Sequence, residues 1–166
     1  MSRMFSAVLV CAAAVLAAMF GVSVATGGQP SAASFNAVLT AADEVPLCAT
    51  ATNASRGHFS AHVVDATTGT VEWKLVANNL PGDIVAAHIH RNPFGVAGPV
   101  IQPLPPTIGA ENGVIGTGTF ANPDLVADIQ ANPQNYYVNV HTGPAGVGCP
   151  SGVIRGQLDE HGPSNN

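Results

Sequence analysis

From Phe35 onward the chain runs in short stretches of alternating apolar and polar residues, each closed by Gly, Pro or Asn. Phe59, Ala61 and Val63 alternate with His58, Ser60 and His62; Val71, Trp73 and Leu75 alternate with Glu72 and Lys74. A period of two places successive side chains on opposite faces of a strand, so one face of each packs inward. The pattern predicts strands at Phe35–Ala41, Gly57–Val64, Thr70–Ala77, Ile84–His90, Gly113–Phe120, Tyr136–His141 and Gly152–Leu158, with a weaker one at Pro99–Gln102. Asp65–Gly69 reads as a hairpin connection between two of them. Only one segment has helical signals: Asn122 as N-cap, Pro123 at the first position, Asp124 in the first turn, and Leu125, Val126 and Ile129 on one face. Seven or eight short strands and one short helix predict an all-β fold, an antiparallel Greek-key β-sandwich or barrel.

The first 25 residues have a different pattern. Arg3 precedes an uncharged apolar run from Val8 to Phe20, and Ser23-Val24-Ala25 supplies a small-x-small cleavage site, so residues 1–25 read as a signal peptide. A membrane anchor is the rival, but Gly21, Ser23 and Thr26-Gly27-Gly28 break the run early. Residues 26–34 read as a flexible lead, 35–158 as one domain and 159–166 as a polar tail. The expected location is secreted, periplasmic or cell-envelope. Of the 3 cysteines, Cys11 lies in the leading segment, which leaves Cys48 and Cys149. In an oxidising compartment an even pair is read first as a disulfide, with two buried thiols as the alternative.

Charge narrows the possible partners. With 5 basic against 10 acidic residues and Lys74 as its lysine, the chain has no cationic footprint for nucleic acid and no polybasic membrane patch. The candidate chemistry lies in the histidines. His88 and His90 leave the same face of a predicted strand, about 7 Å apart at the backbone. In Tyr137-Val-Asn-Val-His141, burial of Val138 and Val140 turns Tyr137, Asn139 and His141 to the other face. If the two strands are neighbours, three imidazoles converge as ligands suited to copper or zinc, with copper preferred. Affinity is then expected to fall below about pH 6.5, where free imidazoles protonate. His58 and His62 lie roughly 13 Å apart along a strand, too far to share an ion, and read as partly exposed.

Asp83 precedes the histidine strand and reads either as a turn residue or as a group that orients an imidazole. Arg155, in an apolar run, is expected to pair with a carboxylate or with backbone carbonyls. Asp43-Glu44 and Asp159-Glu160 are sequence neighbours pointing to opposite faces, which excludes them as acid/base dyads by spacing. Asn53-Ala54-Ser55 fits a glycosylation acceptor.

Four motifs in order, Phe35 to Pro46, Ala87-His-Ile-His90 with Gly95-x-x-Gly98-Pro-Val100, Tyr137 to Thr142, and Ile154-Arg-Gly-Gln-Leu158, resemble the CHRD domain family. Its founding members are repeats of the extracellular regulator chordin, and it is widespread in secreted bacterial proteins. Two positions depart from the family pattern: Leu47 stands where a second proline is common, and Val153 where an acid often precedes Ile-Arg-Gly. The pattern is also distantly similar to copper/zinc superoxide dismutases, with His88, His90 and His141 matching copper ligands. The stretch Arg91–Pro106, however, has no histidine or aspartate to build the bridging ligand and zinc site. In order of preference, the histidine pattern points to a secreted copper- or zinc-binding domain, the chordin resemblance implies a non-enzymatic module that binds an extracellular or envelope protein, and the dismutase resemblance implies a dismutase-like oxidoreductase. An enzyme is the least favoured of these.

Overall fold

The computed structural model describes residues 33–110, 112–144 and 147–161. The segment read from the sequence as a signal peptide and nearly all of the stretch read as a lead lie outside the described residues, as do residues 162–166. The elements are β1 (Ser34–Thr40), β2 (Arg56–Asp65), β3 (Thr70–Asn78), β4 (Asp83–Arg91), β5 (Val100–Pro103), β6 (Gly113–Ala121), α1 (Pro123–Ala131), a 3-10 turn (Pro133–Asn135), β7 (Tyr136–Gly143), β8 (Ile154–Gln157) and β9 (Asp159–His161). Every strand predicted from alternation is present. The exception to the reading is β9, which pairs Asp159 with Asn36 where the sequence suggested only a polar tail.

All pairings are antiparallel, and one curled sheet runs β5-β4-β7-β8-β1-β2-β3-β6, with β9 also on β1. The meander β1–β2–β3 with β8 returning beside β1 gives the Greek-key order expected. The inner face is one apolar cluster drawn from every long strand, including Leu39, Phe59, Leu75, Ile89, Ile115, Val138 and Ile154. Trp73 lies flat under β6, where a Cβ on Gly116 or Gly118 would come within 3.0–3.2 Å of its ring atoms. The helix starts as the sequence predicts: the Leu125 amide donates to Asn122 Oδ1 at 3.1 Å, and Val126 and Ile129 join the core.

An irregularity in β4 decides what faces outward. Ile84, Ala87 and Ile89 are all buried in the core, although strict alternation would put Ile84 with His88 and His90. The register with β7 shifts between Ile84 and Ala86. This one-residue bulge leaves Val85 exposed and turns the strand, so that both histidines face away from the core. Cys48 and Cys149 are joined, with Cα atoms 5.8 Å apart and 101 positions between them in sequence. Their bond ties the β1–β2 loop to the β7–β8 loop. Among the described residues no helix is long and apolar enough to cross a membrane.

Candidate metal centre

β4 and β7 are adjacent strands, with His88 opposite Asn139, His90 opposite Tyr137 and Ala86 opposite His141. His141 therefore sits diagonally across from His88, on the outer face they share. Ring centroids are 4.9 Å apart for His88 and His141, 5.6 Å for His88 and His90, and 5.9 Å for His90 and His141. One ligand nitrogen from each ring lies within 4.8 Å of the other two, and this is the metal-capable group found among the described residues.

Hydrogen bonds set which nitrogen of each ring is available. A carbonyl oxygen can only accept, so His90 Nδ1 donates to Gly98 O at 2.9 Å and His141 Nδ1 donates to Pro150 O at 3.0 Å. Both Nε2 atoms then carry lone pairs. His141 Nε2 lies 3.1 Å from His88 Nδ1, while His90 Nε2 is buried with no partner. A buried imidazole nitrogen left unpaired is unusual, because desolvation without a bond is costly. Burial is the leading cause that pushes all three histidines below the usual imidazole range; it takes His141 to about 4, with His88 and His90 adding to the effect. Near neutral pH the three rings are therefore neutral, as metal ligation requires.

A polar network surrounds them. Arg155 on β8 is only 1 % exposed. Its guanidinium lies 3.5 Å above the centre of the Tyr137 ring, and the other face of that ring stacks on His90 with centroids 4.8 Å apart. Nη1 donates to Val96 O and Nη2 to Pro93 O, both at 2.9 Å, which is the backbone-carbonyl pairing expected for Arg155. Asn139 is buried and donates through Nδ2 to Glu44 Oε2 at 2.6 Å. Glu44 also accepts from the Val45 amide at 3.0 Å, and burial is the main cause that raises its pKa above the usual carboxylate value. Gly152 admits this pair: a Cβ there would stand 2.5 Å from Glu44 Oε2.

A family comparison decides the relationship suggested by the motifs: the CHRD domain matches residues 35–158. The chain belongs to the CHRD domain family. No curated protein and no solved structure matches it. In this CHRD domain the acids near Arg155 are Glu44 and Asp43, which come from the β1–β2 loop and favour the guanidinium charge, whereas position 153 is a buried valine.

The remaining sequence candidates fall away from the centre. Asp83 opens β4, exposed and opposite Gly143, and the hydrogen bonds that orient the rings go to the carbonyls of Gly98 and Pro150 instead. His58 and His62 are exposed on the outer face of β2, where His62 Nδ1 lies 3.3 Å from Ser34 Oγ. Glu44 is the functional neighbour that sequence reasoning missed. Its burial comes from a loop folding onto β7, and the available signal was its place in the Glu-Val-Pro motif.

Proposed function

We propose that this CHRD domain is an exported metal-binding domain in which His88, His90 and His141 hold a copper ion, with zinc as the weaker candidate. The observation that carries this reading is the trio itself: three neutral imidazoles with ligand nitrogens within 4.8 Å, one of them buried and unpartnered. An all-imidazole set with no thiolate or carboxylate suits copper or zinc, and of these copper binds nitrogen sites more tightly. Export accords with the apolar leading segment and with a Cys48–Cys149 bond that an oxidising compartment preserves.

A second reading is favoured by the loops beside the centre. Leu47, Phe94, Val96 and Val147 are all exposed there, which suits a module that binds an extracellular or envelope protein. A dismutase-like activity has less support. Arg91 is committed to Asp128 and Tyr136, and Arg155 to two carbonyls, so neither is poised to guide an anion. Calorimetric titration of Cu(II) and Zn(II) into the metal-free protein and a His88→Ala/His90→Ala variant tests the metal reading. The wild type should take up copper more tightly than zinc, and the variant should lose that uptake. Equal stoichiometry in both proteins would remove the reading.

A further inference from the structure

The β4–β5 loop, residues 92–99, is held against the sheet by side chains from three strands. Gln157 Nε2 donates to Asn92 O at 2.8 Å, Arg155 holds the carbonyls of Pro93 and Val96, and Tyr137 Oη accepts from the Gly98 amide at 2.9 Å. The carbonyl of the same glycine accepts the hydrogen bond from His90 Nδ1–H. At Gly98 the chain passes so close to Arg91 that a Cβ would run into the Arg91 carbonyl. The loop can therefore present the Gly98 carbonyl to His90 only while its path is kept tight.

Arg155 engages this arrangement at two points. Its fork holds the near part of the loop, and its plane covers the ring whose opposite face carries His90. Burying a guanidinium is costly unless its donors are used; here Nη1 and Nη2 are spent on the loop that aims a histidine, while Nε has no hydrogen-bond partner. We propose that Arg155 is a positioning residue of the histidine centre: through the Pro93 and Val96 carbonyls and the Tyr137 ring it sets the tautomer of His90, so that Nε2 faces His88 and His141. This rests on the metal-binding reading for its purpose, but not for its test.

The test compares wild type, Arg155→Met and Arg155→Lys in two measurements. Long-range ¹H–¹⁵N NMR on the metal-free protein near neutral pH reads each histidine's tautomer, and calorimetry reads Cu(II) affinity. Wild type should show His90 protonated at Nδ1. Arg155→Met should lose that preference while His141, held by Pro150, keeps its own, and copper should bind about 10- to 100-fold more weakly, the range for groups that orient metal ligands. Arg155→Lys should rescue neither property, because an ammonium cannot both fork to two carbonyls and stack on a ring; this variant carries the test if the methionine variant does not fold. An unaltered His90 tautomer in a folded variant, rescue by lysine, or simultaneous loss of both tautomers overturns the proposal. If wild type takes up no copper, the metal reading fails, while the tautomer comparison still decides the role of Arg155.

Discussion

The three imidazoles differ in what holds the nitrogen that faces away from their common point. Gly98 O holds His90 and Pro150 O holds His141, whereas His88 Nδ1 is engaged with His141 Nε2 inside the trio. Because burial depresses all three pKa values, the unfolded chain binds more protons than the folded one as pH falls below the ordinary imidazole value. Stability of the metal-free protein should therefore be complete above about pH 6.5 and decline as pH falls towards the folded values, which for His141 is about 4. Urea denaturation across this range checks the sign, and His141→Asn should flatten the slope. If the trio holds a metal, the same depression should place the loss of affinity at a lower pH than the about 6.5 expected for free imidazole, which copper titration across the pH range checks. Glu44 makes a separate prediction. Glu44→Ala strands the buried Asn139 amide and should cost about 1–3 kcal/mol by urea denaturation. Glu44→Gln should cost less, since a flipped Asn139 can offer its unpaired Oδ1 to the new amide.

At the scale of elements, β4 does the most to build the site. Its alternation was legible in the sequence, and with that of β7 it showed which residues would share a face. The bulge at Val85 was not legible, because it depends on how Ile84 meets β7 rather than on any local turn signal. Glu44 was hidden for a similar reason: adjacent acids in a loop look solvated until a second segment, here Gly152, closes over them. The Asp159–His161 strand was also missed, since its pairing with β1 lends order to residues of no strand-like pattern. Two variants separate loop from scaffold. Gly98→Ala, which must displace the β4–β5 loop, should weaken metal binding while the circular dichroism signature of the sheet persists. Asn122→Ala, which removes the helix cap, should cost about 1 kcal/mol of stability and leave metal affinity unchanged.

At the scale of the whole molecule, the β1–β2 loop reaches β7 through the Glu44–Asn139 hydrogen bond, and the Cys48–Cys149 bond joins it to the β7–β8 loop. Cross-linking a loop of about 100 residues stabilises the fold by up to about 4.7 kcal/mol in the chain-entropy model. Reduction, or Cys48→Ser/Cys149→Ser, should therefore lower the urea midpoint by a margin that no single surface change matches. The apolar core is drawn mainly from the strands, with Cys149 and Val153 its members from the β7–β8 loop, so the sheet should remain folded with the bond absent. The centre thus combines a sheet that fixes two histidine-bearing strands with loops whose carbonyls set the rings. X-ray absorption on copper-loaded protein tests that claim most directly. Three imidazole nitrogens at about 2.0 Å, falling to two in His141→Ala, is the predicted result. A spectrum with fewer imidazoles in the wild type, or one unchanged by His141→Ala, would contradict it.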